Sequence, residues 1–176
     1  MEWEEYAALM ESADYRSNVP NVFADPDHFA AAVVDMRDAT AVDPDAVAGI
    51  DAMGFIPGAA LARAFDAGFV AVRKGGKLPI AEEHRLADDC VDWTGTEKTL
   101  ELDRRMVADG ASVLVVDDYV ETASQVGVAA DLLERAGASV AGVTVLCAVE
   151  NEETRSLDAE YGLYSVNPWN GDAATE

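Results

Sequence analysis

Residues 113–125 read Val113-Leu114-Val115-Val116-Asp117-Asp118-Tyr119-Val120-Glu121-Thr122-Ala123-Ser124-Gln125. Four apolar residues run into two adjacent aspartates, and a helix-compatible stretch follows. An unbroken apolar run without alternation is the pattern of a strand buried on both faces, as in parallel sheets. Such a strand delivers its carboxylates to its C-terminal edge and then turns into a helix N-terminus. In open α/β sheets that edge is where ligands sit, and a helix N-terminus offers backbone N–H groups to an anion. Carboxylates for hydroxyls or a cation, beside amides for a phosphate, point to a phosphorylated sugar or a nucleotide. Simple capping of a turn by Asp117 and Asp118 is the weaker reading, because adjacent carboxylates repel unless something positive meets them.

Outward from this strand the chain alternates strand and helix. A helix is expected over 2–12, with Trp3, Tyr6 and Met10 forming an exposed apolar face that would benefit from a partner. A break follows at 16–24, and Asp25-Pro26 caps a second helix carrying Phe29, Ala32, Val33 and Met36 on one face. Ala46–Ile50 is a buried strand ending at Asp51, Phe55–Ala67 a helix stopped by Gly68, and Phe69–Val72 a strand ending at Arg73-Lys74. Residues 75–99 are polar and read as a long irregular loop, which inside a compact domain is usually functional or mobile. Leu100–Leu102 returns as a strand. Thr122–Ala136 is a helix closed by Gly137, Val140–Val149 a strand, Glu152–Asp158 a helix and Leu163–Val166 a strand. This order predicts a single α/β domain over 1–176, a doubly wound, mostly parallel sheet with helices on both faces. Three strand ends, Asp51–Gly54, Arg73–Lys77 and Asp117–Gln125, would meet at one edge.

Composition narrows the function. Twelve basic against 34 acidic residues give a net charge of −22, spread over surface faces rather than gathered in a tail. That pattern fits adaptation to high salt, where screening removes self-repulsion. No basic stripe exists, so nucleic acid is not an expected partner. No apolar run approaches the roughly 20 residues that span a bilayer, and the acidic start Met1-Glu2-Trp3 lacks the basic and apolar parts of a secretory signal. The chain is expected to be cytoplasmic, with no membrane partner. Cys90 and Cys147 stand far apart, Cys147 in an apolar strand, and no zinc spacing occurs. His28 and His84 read as surface or capping residues. A response-regulator receiver is excluded, since fewer than 60 residues and no lysine follow Asp118. Neither GxGxxG nor a Walker A loop is present.

Three segments carry a resemblance: Ala48-Gly49-Ile50-Asp51-Ala52-Met53-Gly54-Phe55, then Val72-Arg73-Lys74-Gly75-Gly76-Lys77-Leu78-Pro79, then Val113–Gln125. In order and spacing the chain resembles the type I phosphoribosyltransferases from about residue 18 to 166, and Arg-Lys-x-Gly-Lys-Leu-Pro is similar to the adenine-using branch. The resemblance implies transfer of 5-phosphoribosyl from its 1-pyrophosphate to a purine in nucleotide salvage, with adenine favoured and hypoxanthine or guanine possible. It implies Mg²⁺ as cofactor, a flexible hood over the site at 75–99, and a homodimer. Asp117 and Asp118 would be the catalytic pair, taking the ribose hydroxyls and the metal. Glu121, Thr122, Ala123, Ser124 and Gln125 would hold the 5′-phosphate. Asp51, Ala52, Met53, Gly54, Arg73, Lys74 and Lys77 would meet the pyrophosphate, and Val22 and Phe23 the purine. Glu97 and Glu101 read as surface acids, with a proton relay to the base as the other reading.

The chain departs from the family in three loops. The usual Ala-Thr-Gly-Gly-Thr is Glu121-Thr122-Ala123-Ser124-Gln125, without either glycine. Met53 replaces an arginine, and the region of the Phe-Arg-Asp segment near the base shrinks to Val19-Pro20-Asn21-Val22-Phe23-Ala24-Asp25, without the arginine. A non-catalytic nucleotide- or ribose-phosphate-binding regulatory protein on the same fold is the alternative these changes suggest.

Overall fold

A computed structural model of the chain describes residues 1–11, 17–92 and 94–168. Residues 12 and 16, where two of the predicted segments end or begin, lie outside that range. Three helices open the chain: α1 (Trp3–Leu9), α2 (Pro20–Ala24) and α3 (Pro26–Ala39). Then follow β1 (Ala46–Ile50), α4 (Phe55–Ala64), β2 (Gly68–Lys74), β3 (Arg85–Val91) and β4 (Glu97–Asp103). The remainder is β5 (Ser112–Val120), α5 (Ser124–Arg135), β6 (Ser139–Ala148), α6 (Glu152–Tyr161) and β7 (Leu163–Ser165). The Asp25 side chain accepts from the amides of Asp27 and His28, with Pro26 starting α3, as the Asp-Pro pair predicts.

Seven strands form one sheet in the order β3-β4-β2-β1-β5-β6-β7. β2, β1, β5, β6 and β7 run parallel, while β4 is antiparallel to both β2 and β3. Alternate residues of β5 enter opposite cores, which is why its sequence reads as one apolar run. Val113 and Val115 pack with Val126, Ala129, Leu132 and Leu133 of α5. Leu114 and Val116 pack with Met36 of α3 and Leu61 of α4. The doubly wound class predicted above is the fold observed.

Three local expectations are corrected. Residues 75–99 are not an irregular loop: β3 and β4 pair over seven positions from Arg85↔Asp103 to Val91↔Glu97. Asp88 and Asp89 face solvent on this edge strand, so the apolar signal of β3 is too thin to read, and edge charges are a common guard against strand pairing. The ribbon is docked rather than loose, since Cys90, Leu100 and Leu102 join the α5 core and Arg135 Nη1 donates to Asp88 Oδ2 at 2.9 Å. At the N-terminus, Tyr6 and Met10 are buried in the protein's own core, and Tyr6 Oη donates to Asp35 at 2.6 Å, so this face needs no partner to cover it. Finally, residues 20–24 form the short helix α2 instead of a break.

Candidate active site

The sheet reverses its winding between β1 and β5. The helix α4 after β1 packs on one face and α5 after β5 on the other, which leaves a crevice beyond the C-terminal ends of the two strands. Pairing of β1 with β5 ends at Gly49↔Val116, whereas β5 stays paired to β6 as far as Val120↔Ala148. Strand β5 therefore runs past the apolar residues Val113–Val116, and its Asp117–Val120 segment borders the open crevice. A cavity of about 300 Å³ occupies it. Asp117, Asp118 and all of Glu121–Gln125 line the cavity, joined by Asp51, Ala52 and Met53 from the turn after β1 and by Lys74 from the end of β2. The three predicted strand ends thus converge.

Side-chain parity sorts the basic turn. Successive residues of a strand face opposite sides, and Val70, Val72 and Lys74 share the α5 side. Arg73 therefore points the other way and is absent from the cavity lining. Its Nε donates to Asp51 Oδ2 at 3.0 Å, and its guanidinium carbon lies 5.7 Å from the Phe55 ring centroid. Lys77 Nζ also reaches Asp51 Oδ2, at 3.4 Å, and does not line the cavity. Asp51 is buried, which pushes its pKa up. The hydrogen bonds from Arg73, the Lys74 amide and Lys77 outweigh this and hold it below the usual aspartate value. Of the three predicted cations, only Lys74 faces the cavity.

Glu101 is the second surprise. It is not a surface acid. It is 2 % exposed, accepts from the Gly76 amide, and lies 3.5 Å from Arg85 Nη1. Paired from β4 with Arg73 of β2, it shares the face of Arg73, away from the cavity, and steadies the Gly75-Gly76 turn. Glu97 is exposed, as expected.

The predicted phosphate loop turns through a left-handed residue that is not glycine. Ala123 adopts φ 55° and ψ −8°, the left-handed conformation a glycine would take at no cost, and α5 begins one residue later, not at Thr122. No side chain caps α5 at its N-cap, so its first-turn amides remain available to an anion. Two contacts fix the loop: Asn151 Nδ2 donates to the Glu121 carbonyl at 2.6 Å, and the Val91 amide donates to Ser124 Oγ at 3.3 Å. The second joins the hood ribbon to the loop. Glu121 is exposed.

Asp117 is buried beside its neighbour. Burial, reinforced by the charge of Asp118, raises its pKa well above the ordinary value, although the Asp118 amide donates to Asp117 Oδ1 at 2.9 Å. Such a carboxyl is ready to receive a cation or hydroxyl donors. Gly54 lies behind it, outside the lining. A Cβ there would fall 2.9 Å from Asp117 Oδ1 and 2.7 Å from the Val116 carbonyl oxygen. Among the described residues, no group of three or more His, Cys, Asp or Glu side chains is placed to cage a metal ion.

The predicted purine contacts sit on the short helix α2. Val22 is fully buried in the helical core, and half-buried Phe23 stacks edge-on with Phe29 at 5.4 Å between centroids. Neither lines the cavity. Ser17, Asp92, Lys98 and Tyr119 do, and sequence reasoning assigned none of them a role. For Lys98 a signal existed: it is one of only three lysines in the chain.

A family model described as the phosphoribosyl transferase domain matches residues 18–174. The chain belongs to the phosphoribosyltransferase family. The adenine phosphoribosyltransferase of Rhodococcus jostii strain RHA1 is 40 % identical over 149 residues, covering 82 % of this chain and 80 % of the relative. That of Dinoroseobacter shibae is 35 % identical over 158 residues, covering 88 % and 86 %. The crystal structure of adenine phosphoribosyltransferase from Rhodothermus marinus superposes with a TM-score of 0.82 at 28 % identity, over 93 % of this chain and 96 % of that one. The Giardia lamblia enzyme complexed with 9-deazaadenine gives 0.81 at 25 % identity, over 94 % and 97 %. This phosphoribosyltransferase is therefore a transferase of the glycosyltransferase type, and the non-catalytic alternative finds no support among these relatives. No helix among the described residues is long and apolar enough to cross a membrane.

Proposed function

We propose that this phosphoribosyltransferase joins 5-phosphoribosyl 1-pyrophosphate to a purine base, adenine first, releasing pyrophosphate and a nucleoside monophosphate for nucleotide salvage. The observation that carries this is the placement of Asp117 and Asp118 beside the uncapped N-terminus of α5 in one cavity. The names of the relatives favour adenine over hypoxanthine or guanine.

In this reading the base nitrogen attacks C1′ while the bond to pyrophosphate breaks, through an oxocarbenium-like transition state of the kind seen in glycosyl transfer. Asp117 and Asp118 accept the ribose hydroxyls. The backbone amides at 122–125 hold the 5′-phosphate, Ser124 and Gln125 adding side-chain donors. Lys74 meets the charge that grows on pyrophosphate. The residues present fit Mg²⁺ as an ion that enters with substrate: Asp117 and Asp118 would hold it, and it would supply positive charge to the departing diphosphate. The hood ribbon excludes water from the reacting carbon.

A cytoplasmic homodimer of single-domain subunits, adapted to high salt, is the form in which we expect it to act. The experiment is incubation with 5-phosphoribosyl 1-pyrophosphate, Mg²⁺ and adenine, hypoxanthine or guanine in high KCl, followed by chromatography. AMP formation is expected to dominate. Folded protein that makes no nucleotide from any base would overturn the proposal.

A further inference from the structure

The cavity is short of positive charge. Asp51, Asp92, Asp117, Asp118 and Glu121 line it, against Lys74 and Lys98 alone among described cationic residues. The turn Asp51-Ala52-Met53-Gly54 brings no cation, and Arg73 and Lys77 are turned onto Asp51. A substrate that carries a diphosphate and a monophosphate needs more than one lysine to offset such walls.

Lys98 is placed to answer. It stands on β4 opposite Cys90, two residues before Leu100, and Leu100 pairs with Lys74. Residues two apart on a strand share a face, so Lys98 and Lys74 are diagonal neighbours on the cavity side of the sheet. The Lys98 ammonium is 3.8 Å from Asp92 Oδ2, beyond hydrogen-bond length, and its side chain stays 38 % exposed. Asp92 in turn is occupied through Oδ1 by Thr94 and by the amide of Thr96. The contact to Asp92 is an ion pair longer than a hydrogen bond, and Lys98 lines the same cavity as Lys74, so an anion bound there lies near both ammonium groups.

We propose that Lys98 is a substrate-binding residue, reaching from the hood ribbon to the diphosphate and supplying the charge that the Met53 turn lacks. This rests on the phosphoribosyl-transfer reading above. It makes the hood a part of the diphosphate site as well as a cover.

The test uses the full chain in high KCl with two readouts: calorimetric binding of inorganic pyrophosphate with Mg²⁺, and steady-state kinetics. Lys98→Ala is expected to weaken pyrophosphate binding and raise KM for 5-phosphoribosyl 1-pyrophosphate about tenfold, the scale of one charge-assisted hydrogen bond. The KM for the base and the melting temperature should hold steady. Lys98→Arg should recover most of the loss. Met53→Arg combined with Lys98→Ala should recover part, because it returns a cation from the opposite wall. An active wild type whose Lys98→Ala form keeps both constants within twofold overturns the role of Lys98 and leaves the function intact. Pyrophosphate binding that depends on Lys98 in a protein without turnover does the reverse. Failure of the wild type to bind pyrophosphate at all defeats the Lys98 proposal directly.

Discussion

Arg73 Nε donates to Asp51 Oδ2 across 3.0 Å, and Lys77 Nζ and the Lys74 amide approach the same oxygen, each at 3.4 Å. One buried carboxylate thus gathers the whole basic turn from below. Asp51→Ala should cost about 1–3 kcal/mol at neutral pH, since it leaves half-buried cationic donors without an acceptor. The sign with pH follows from the depressed pKa of Asp51. Its stabilisation is present above the ordinary aspartate value of about 4 and is lost as pH falls through the lower folded value. Urea denaturation of both proteins from pH 7 to pH 3 should show the gap narrowing only at the acid end. A gap independent of pH would show that the ion pairs do not hold the turn.

Gly54 supports Asp117 by having no side chain. A Cβ at this position would sit 2.7 Å from the Val116 carbonyl oxygen and 2.8 Å from the Ile50 nitrogen, both main-chain atoms that cannot step aside. Gly54→Ala is expected to destabilise by roughly 1–3 kcal/mol. It should also lower kcat/KM more than the stability loss explains, by displacing Asp117. Thermal melting beside kinetics at a temperature where both proteins are folded checks this.

Ala123 holds a left-handed conformation at the N-cap of α5. Ala123→Gly removes a conformational cost of about 1 kcal/mol, offset in part by the freer unfolded chain. The melting temperature should rise by up to a few degrees. Binding of ribose 5-phosphate, followed by calorimetry, should be kept or tightened. A lower melting temperature would mean that the Ala123 methyl group contributes more through packing than it costs in backbone strain.

Asp117 carries a stability cost at neutral pH, and the proposed reaction gives that cost a purpose. Its raised pKa means that the folded protein favours the neutral acid. The stability it contributes is complete below about pH 4 and declines as pH rises toward the folded value. Asp117→Asn should therefore match the wild type in acid, exceed it in stability at neutral pH, and lose nearly all transferase activity. Melting curves across pH, paired with an AMP-forming assay, measure both halves.

Much of this site was legible in the sequence. The run Val113–Val116 gave a strand buried on both faces, because parallel strands beneath two helical layers need apolar side chains on each side. Asp117 and Asp118 followed at its end, and the charge pattern of 73–77 marked a second strand end. Local chemistry was enough for these, since chain direction alone places strand ends at one edge of a parallel sheet. Ala123 also fell where sequence put the phosphate loop, though its left-handed backbone was not written in an alanine.

Other features depended on partners distant in the chain. Whether Arg73 or Lys74 faces the cavity is a matter of strand parity, which the register of β2 against β1 and β4 sets. Glu101 looked exposed by composition and became buried because that register places it opposite Arg73 and within reach of Arg85. Val22 became part of a closed core when α1, α2 and α3 packed over it, and Lys98 came to line the cavity when the β3–β4 ribbon folded back along α5. Sequence by itself determined the sheet class, the acidic pair and the basic turn, because each follows from nearest neighbours along the chain. Tertiary structure alone decided which carboxylates and cations meet in the cavity, because one residue of register reverses every side chain on a strand.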